Sequence, residues 1–333
     1  MTLATEHVCC NLCGSDSVTV LYSNVGRIST PATQVVQCGR CGLVYLNPRL
    51  KYLADNFTLT EEYLREFYLP LYRSLGVLTD TFALNREPLK RYYQASLEQM
   101  QPYRATGRVL DVGCAIGLFL AAAEDAGWQC YGVEPSQPLG SYGRDKFGLT
   151  IADGELATAG FPDGYFDVVT LWDVTEHLLD PVTTYQAIHR VLRPGGLLLL
   201  RMPNWQSLAR EYLGPDWEMF VTDHFYYFTP KTLRSLLQQV GFTPRYIAAS
   251  ELVDVEAEAI QTRLGSEALN AALAKLKDPA CVDCGSTITA AAERSLSRPE
   301  RWAKATVLLK SGAFGTLAHE VTNYARWKLK AVR

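Results

Sequence analysis

Between residues 108 and 249, short apolar runs alternate with stretches of helical periodicity. Alternation of this kind is typical of βαβ units, whose strands form a mostly parallel sheet covered by helices. The sequence therefore predicts an α/β fold with a Rossmann-like, doubly wound sheet. Strands are predicted at residues 108–112, 130–133, 150–152, 166–172, 197–201 and 245–249, and helices at 118–126, 137–147, 181–192 and 230–240.

Residues 111–117, with the sequence DVGCAIG, follow the first predicted strand and open the first predicted helix of this region. This is the context of a dinucleotide-type binding turn. A pyrophosphate needs glycine at the second position of G-x-G-x-x-G so that the backbone can approach it, and here Ala115 stands near that place. The turn therefore favours an adenosine cofactor without phosphates. Its predicted contact residues are Asp111, Gly113, Cys114, Ala115 and Gly117.

Carboxylates stand at the ends of three predicted strands, where sheets of this kind bind their ligands. Asp111 ends the first strand and is expected to take a positively charged ammonium group of the cofactor. Glu134 lies 23 residues later, is followed by Pro135, and is expected to bind both ribose hydroxyls. Asp153 and Gly154 end the third strand and are expected at the adenine edge.

Four cysteines ahead of this region form two CxxC pairs, and each pair is followed by a glycine. A tetrahedral zinc ion takes four thiolates, and the CxxC spacing directs two of them at one ion. A zinc ion with all four positions filled is structural, and a domain this small has too little core to hold together without it. We therefore predict a zinc ribbon whose ligands are Cys10, Cys13, Cys38 and Cys41, with Cys9 as a neighbour that does not bind.

The composition argues against several classes of protein. The chain has 32 basic and 35 acidic residues, a net charge of −3, and sequence-independent binding to nucleic acid requires positive charge. The longest apolar run, residues 197–200, is far too short to span a bilayer, and no signal-peptide pattern opens the sequence. Nine cysteines in such a chain favour reduced thiols. We expect a cytoplasmic protein with no nucleic-acid partner and no transmembrane segment.

Residues 108–250 resemble the class I S-adenosylmethionine-dependent methyltransferases. The resemblance is carried by the turn and by FDVVTLWD at 166–173, EH at 176–177, LRPGG at 192–196, PN at 203–204 and GF at 241–242. It implies that the turn holds the methionine end of S-adenosylmethionine, that Glu134 holds the ribose and that Asp153 holds the adenine. It also implies that residues near Asp173 line the active site. Another Rossmann-like enzyme, such as a dehydrogenase, is the alternative.

Methyl transfer to a carbon or a hydroxyl requires the acceptor to lose a proton, and a histidine near neutrality suits that task. His177 follows the fourth predicted strand, and His224 lies in residues 204–229, a long aromatic connection after the fifth. Such connections commonly build the substrate pocket. We predict that His224 is the general base, that Asp223 orients it and that His177 assists. Packed histidines that only make structural hydrogen bonds are the alternative.

The order of cysteine pairs, aromatic helices and methyltransferase core is similar to that of the sugar C-methyltransferases. In those enzymes an acidic residue and a base histidine precede an aromatic stretch, as Asp223, His224 and Phe225 do here. The resemblance implies a small-molecule acceptor, a sugar or nucleotide sugar methylated at carbon or oxygen. Two features depart from it: Val221 stands where those enzymes carry a tyrosine, and their large additional C-terminal domain is missing. The alternatives are a ubiquinone-pathway-like O-methyltransferase, an RNA methyltransferase whose ribbon binds RNA, and a binding module without activity.

Four regions are expected along the chain: a zinc-binding ribbon at residues 1–50, an aromatic helical linker or lid at 51–105, the methyltransferase core at 106–250 and a mainly helical region at 251–333. Tyr63, Tyr68 and Tyr72 recur at helical spacing in the linker and are candidates to close over the cofactor. Near the end of the chain, Cys281 and Cys284 repeat the CxxC spacing without a partner pair. A loop, a redox pair and a metal site between subunits remain open for them. The basic residues 302–333 fit either a surface-binding helix or a solvated one.

Overall fold

The described part of residues 1–50, called the ribbon below, forms short antiparallel strands around the two CxxC turns. The computed structural model describes residues 4–23, 33–51, 59–249, 254–277 and 283–295. One turn precedes the second strand and the other connects the third and fourth strands. Strand β1 pairs with β5, and β2, β3 and β4 form a sheet. The strands are β1 (Thr5–Glu6), β2 (Val18–Ser23), β3 (Gln34–Cys38), β4 (Val44–Leu46) and β5 (Arg49–Leu50).

The predicted aromatic linker is helical where it is described. A single helical stretch begins as α1 (Glu61–Tyr63), widens into a π-helical turn (Leu64–Tyr68) and continues as α2 (Leu69–Ser74). Thr60 caps its start, because its hydroxyl accepts a hydrogen bond from the Tyr63 amide at 3.1 Å. The longer helix α3 (Arg86–Met100) follows.

A seven-stranded sheet forms the centre of the protein. Its parallel strands are β6 (Arg108–Val112), β7 (Gln129–Glu134), β8 (Ile151–Asp153), β9 (Phe166–Trp172) and β10 (Leu192–Pro203), connected through α4 (Leu118–Asp125), α5 (Gln137–Phe147) and α6 (Pro181–Val191). They lie in the order β8-β7-β6-β9-β10, so the strand order reverses beside β6. Ligands bind at such a reversal in doubly wound sheets. The predicted fold class is confirmed.

Two antiparallel neighbours complete the sheet beside β10. Helix α8 (Pro230–Gln239) leads into β12 (Phe242–Ala249), and β13 (Thr287–Arg294) lies between β10 and β12. The prediction of helices after residue 250 agrees with α9 (Asp254–Leu264) and α10 (Ser266–Leu276) but is wrong for β13. Its sequence, TITAAAER, holds three alanines, which are depleted in strands, so only its position between two other strands fixes its conformation.

The long connection after β10 joins the N-terminal sheet. It contains α7 (Leu208–Leu213) and the short strand β11 (Tyr226–Tyr227), which pairs antiparallel with β4. The buried rings of Trp205, Trp217, Phe220 and Tyr227 pack in one cluster with Val44. The ribbon therefore shares both a sheet and a core with the segment that carries His224.

Parts of the C-terminal region lie outside the described residues, including Cys281 and the basic residues 302–333. Cys284 is disulfide-bonded, which differs from the expectation that the thiols are reduced. Within the described ranges, no helix has both the length and the apolar character needed to cross a membrane.

Candidate active site and cysteine cluster

A cavity of about 750 Å³ opens at the carboxyl ends of the parallel strands. Its wall takes residues from β6, β7 and β9, from the helical stretch after Thr60 and from the connection after β10. The predicted residues that line it are Asp111, Gly113, Cys114, Ala115, Glu134, Pro135, Gly154, Asp173, His177 and Asp223. Gly117, Asp153 and His224 are not in its lining.

The turn after β6 holds its backbone close to the cavity. Gly113 has φ of +70°, and a Cβ built on it would lie 2.7 Å from Cγ2 of Val174. Its amide donates to the Val133 carbonyl at 2.8 Å, which ties the turn to β7. Any side chain at residue 113 would have to displace Val174, so the bare backbone is a requirement of this turn.

Glu134 is a buried carboxylate at the end of β7. Its two oxygens accept hydrogen bonds from the backbone amides of Ala115 and Ser136, each at 2.8 Å. Burial raises the pKa of Glu134, and these two hydrogen bonds oppose that rise. The carboxylate is thereby fixed in the cavity wall, and each oxygen keeps a further lone pair for a ligand hydroxyl.

Asp111 lies at the end of β6 and is also buried. Thr170 donates a hydrogen bond from its hydroxyl to Oδ1 of Asp111 at 2.7 Å. Burial raises the pKa of Asp111 to about 8 despite this contact. A positively charged group in the cavity would restore the ionised carboxylate, so the site fits the ammonium group of an aminoacyl adenosine cofactor.

Asp153, for which the sequence predicts an adenine contact, is not among the residues that line the cavity. Its carboxylate pairs with Arg144 at 2.9 Å, and its side chain is 55% exposed. The neighbouring Gly154 lines the cavity instead, and its amide donates to the Glu134 carbonyl at 2.9 Å. Arg144 lies one helical turn from the end of α5, close enough to draw the carboxylate away from the cavity.

Asp173 follows β9 in a left-handed conformation, with φ of +55°. Its carboxylate forms a two-pronged ion pair with Arg201, whose Nε lies 3.1 Å from each oxygen. Arg201 stands near the end of β10 and lines the cavity. Sequence reasoning missed Arg201, although the strand-end rule that identified Glu134 applies to it equally.

Tyrosines from the two helices before the sheet form one wall of the cavity. The candidates Tyr63, Tyr68 and Tyr72 all line it, together with Tyr93 from α3. The rings of Tyr68 and Tyr72 lie 4.7 Å apart between centroids. Burial raises the pKa of Tyr68 and Tyr72, so both hydroxyls stay protonated and can donate hydrogen bonds.

The two predicted histidines lie side by side, with ring centroids 4.7 Å apart. Nδ1 of His177 lies 2.8 Å from the backbone carbonyl of Asp223 and 3.6 Å from its carboxylate. Nδ1 of His224 lies 3.0 Å from the Met219 carbonyl. Asp223 therefore orients His177, whereas the sequence predicted that it orients His224. Burial lowers the pKa of both rings, to about 3 for His224, so both are neutral at pH 7.

The four cysteines of the two CxxC pairs meet in one cluster. Their Sγ atoms all lie within 4.8 Å of one another, with Cys10 3.4 Å from Cys41 and Cys13 3.5 Å from Cys38. Thiolates at 2.3 Å from one tetrahedral zinc ion lie about 3.8 Å apart, so the arrangement fits that ion. Burial raises the pKa of Cys38, but amides of Cys41 and Arg40 outweigh it and bring the pKa to about 7.

The first CxxC turn also contacts the central domain. Asn11, between Cys10 and Cys13, donates from its side chain to Asp180 at 2.8 Å and accepts from the Val182 amide at 3.0 Å. Asp180 is the N-cap of α6, where its carboxylate also accepts from the Thr183 amide. The cysteine cluster is thus attached to the start of a helix of the sheet.

The chain is similar to known methyltransferases. Residues 85–247 match the family model described as a methyltransferase domain. The ubiquinone biosynthesis O-methyltransferase of Cereibacter sphaeroides is 31% identical over 152 residues, which cover 41% of this chain and 60% of that protein. An uncharacterized 37.1 kDa protein in a transposon of Streptomyces fradiae is 29% identical over 136 residues, 39% of each chain. The crystal structure of a SAM-dependent methyltransferase from Archaeoglobus fulgidus covers 68% of this chain and 99% of its own, with 20% identity and a TM-score of 0.48.

The sheet order, the turn after β6 and the family match define a methyltransferase domain of the class I, S-adenosylmethionine-dependent type. The prediction of that class is confirmed for this domain. The match to the ubiquinone-pathway protein spans about three fifths of that protein's length. The likeness to sugar C-methyltransferases stays a prediction.

Proposed function

We propose that this protein transfers a methyl group from S-adenosylmethionine to an oxygen or carbon atom of a small, polar, sugar-like acceptor. The observation that carries the proposal is one cavity whose lining contains both Asp111 with Glu134 and His177 with Asp223. We take the first pair as its cofactor end and the second pair as its acceptor end. One end has the chemistry of a nucleoside-binding site. The other has a base and its orienting partner.

At the cofactor end, each group meets one part of the donor. Asp111 takes the ammonium group, Glu134 takes the ribose hydroxyls, and the backbone at Gly113 allows close approach. When bound there, S-adenosylmethionine supplies a methyl group made electrophilic by its sulfonium sulfur. Because such a displacement depends mainly on alignment, we expect fixed carboxylates to contribute more than mobile ones would.

At the acceptor end, His177 is the histidine that the cavity exposes. Its Nδ1 is held by Asp223, so its other ring nitrogen can accept the acceptor's proton. The Asp223 carboxylate at 3.6 Å would stabilise the protonated ring. We therefore assign the base to His177 and a supporting place to His224. The tyrosine hydroxyls and Arg201 offer hydrogen bonds to a hydroxylated or anionic acceptor.

The cysteine cluster is proposed as a structural zinc site that holds the ribbon sheet. Its four sulfur donors leave no position for water or substrate. Its contribution to function would be indirect. It would hold β4, which pairs with β11, and β11 lies just after His224 in the chain.

An aromatic hydroxyl acceptor is the second candidate. One relative is named as an O-methyltransferase of ubiquinone biosynthesis. The cavity wall carries four tyrosines, Trp172 and Phe119. A planar ring would pack against such a wall. Both candidates use the same donor site and the same histidine.

The test combines binding and turnover. Calorimetric titration with S-adenosylmethionine should give one site per chain, and radiolabelled donor should label an acceptor from a panel of nucleotide sugars and catechols. His177→Gln should lower turnover at least about 100-fold, the usual size of a base contribution, and leave donor affinity within about twofold. His7→Gln is the matched control, because His7 is exposed and distant from His177 in the sequence. Failure to bind the donor, or normal turnover in His177→Gln, would contradict the proposal.

A further inference from the structure

A cluster of one acid and two histidines lies at the acceptor end of the cavity. Oxygen or nitrogen atoms of Glu176, His177 and His224 all lie within 4.8 Å of one another. Glu176 and His177 belong to a 3₁₀ turn (Thr175–His177) after β9, and His224 lies just before β11. A hydrogen bond of 2.8 Å from the Phe225 amide to the Glu176 carbonyl joins the two segments.

Both imidazoles are held through the same nitrogen. The Nδ1 of each ring is at hydrogen-bond distance from a backbone carbonyl, that of Asp223 for His177 and that of Met219 for His224. A carbonyl accepts only a proton donor, so each neutral ring carries its hydrogen on Nδ1 and its lone pair on Nε2. Histidine ligands of metals are held in the same way, because the second nitrogen donates to a carbonyl or carboxylate.

One oxygen of the buried Glu176 carboxylate lacks a hydrogen-bond partner among the described residues. The side chain is 3% exposed, and its Oε2 has no hydrogen-bond partner among the described residues. Arg201, a cation that interacts electrostatically with Glu176, is engaged by Asp173. A carboxylate buried without a partner is costly, so its position implies either a bound proton or a cation. The two neighbouring imidazoles favour the cation, since three donor groups then lie close enough to share it.

We propose that Glu176, His177 and His224 bind one divalent transition-metal ion in the wall of the methyl-transfer cavity. Two imidazole nitrogens and one carboxylate oxygen suit Zn²⁺, Co²⁺, Mn²⁺ or Fe²⁺. Donors at about 2.1 Å from one ion lie about 3.0–3.4 Å apart, so the widest pair has to close by at most about 1.8 Å. Side-chain rotations are sufficient for that change.

The site differs in kind from the cysteine cluster. Four thiolates close the coordination sphere of zinc, whereas three protein ligands leave at least one position for water or substrate. Because His177 lines the cavity, that position faces the acceptor. The role of the ion rests on the proposed function: it would bind an acceptor oxygen and favour loss of its proton to water. In the metal-loaded state His177 is then a ligand and not the base.

The binding test uses the full chain with zinc already in the cysteine cluster, titrated with Co²⁺ without donor or acceptor. We expect one further ion per chain, with no thiolate-to-cobalt charge-transfer absorption. Glu176→Gln and His224→Ala should each weaken Co²⁺ binding at least about 100-fold, since even outer contacts of metal ligands are worth 10–100-fold. His7→Ala should bind Co²⁺ as the wild type does.

Two further measurements keep the outcomes distinct. Zinc content and S-adenosylmethionine affinity of each variant show whether it is folded, and Glu176→Gln preserves the side-chain shape if His224→Ala does not fold. Co²⁺ binding that is absent, or equal in wild type and Glu176→Gln, overturns the metal site and leaves a buried acid–histidine proton network. Co²⁺ binding without any methyl transfer would instead refute the proposed function alone.

Discussion

The two ends of the cavity are built from the chain in different ways. The cofactor end comes from consecutive strands and turns between Asp111 and Gly154, and these strands are neighbours in the sheet. The acceptor end is assembled from the 3₁₀ turn after β9 and the segment before β11 that the ribbon holds, and the tyrosine helices contribute to both ends. A site of the first kind has a local sequence pattern. A site of the second kind depends on contacts between segments that are distant in sequence. Damage to those contacts should therefore lower turnover without equally weakening donor binding.

The largest expected effect is a loss of turnover, without an equal loss of donor binding, when the cysteine cluster is disrupted. Cys38→Ser should remove the zinc ion, whose binding to small structural sites is worth about 10–16 kcal/mol, and so unfold the ribbon sheet. Loss of β4 leaves β11 unpaired, so we expect turnover to fall at least about 100-fold. Donor affinity should change less than about threefold, because the hydrogen bonds that hold Asp111 and Glu134 come from Thr170, Ala115 and Ser136 and not from described ribbon residues. Zinc analysis, donor calorimetry and turnover are the measurements.

Cys9→Ser is the matched control, since Cys9 is exposed and adjacent to a ligand. It should keep its zinc and its turnover. Equal loss of donor binding and turnover in Cys38→Ser would show that the two ends do not fail separately.

The next effect concerns the edge of the sheet opposite the cavity. Asp167 is fully buried, accepts from the Thr106 and Gly107 amides at 2.6 Å each, and pairs with Arg193 at 2.6 Å. Although burial raises its pKa, these partners lower the pKa of Asp167 overall. Breaking a buried pair of this kind costs about 3–5 kcal/mol, so Asp167→Asn should lower the free energy of unfolding by about that much at pH 7.

The pH dependence of that difference has a definite sign. A carboxylate with a lowered folded pKa stabilises the protein above its unfolded pKa of about 3.9, and this contribution is lost as pH falls through the folded pKa. In urea titrations from pH 7 to pH 3, the free energy of unfolding of the wild type should therefore fall towards that of Asp167→Asn. Asp163→Asn, which removes an exposed partner of Arg190, should change stability by less than about 1 kcal/mol. If the difference in the free energy of unfolding between wild type and Asp167→Asn were the same at every pH, the lowered pKa of Asp167 would be contradicted.

The cofactor end can be tested by a pair of strand-end carboxylates. Glu134→Gln should weaken donor binding about 10–150-fold, since a hydrogen bond to a charged group is worth about 1.5–3 kcal/mol. Asp153→Asn should change it less than about twofold, because Asp153 pairs with Arg144 outside the cavity lining. Calorimetry on the two variants measures the difference. Similar losses in both would restore the adenine contact that the sequence predicted for Asp153.

The sequence predicted which residues meet at the proposed cofactor end because its signals are local. A strand followed by a glycine turn and a helix determines where Asp111 must lie, and the same rule located Glu134. It also predicted an adenine contact for Asp153, but it did not reveal the ion pair with Arg144 in the preceding helix, because no strand pattern does. At the acceptor end, residue types were found but not pairings: Asp223 adjoins His224 in sequence yet orients His177 in the fold. Strand β13 was missed because its alanines carry no strand preference of their own.

The smallest expected effect concerns how the ribbon is attached to the sheet. Asn11→Ala removes two hydrogen bonds, to Asp180 and from the Val182 amide, and should lower the free energy of unfolding by about 1–2 kcal/mol. The zinc ligands and the pairing of β4 with β11 remain, so zinc content should stay at the wild-type level and turnover should fall only about two- to fivefold. Gln37→Ala, which removes a hydrogen bond to the Gly42 carbonyl within the ribbon, is the control for an internal contact. If Asn11→Ala reduced turnover as strongly as Cys38→Ser, then the attachment through α6, and not the shared sheet, would position the acceptor end.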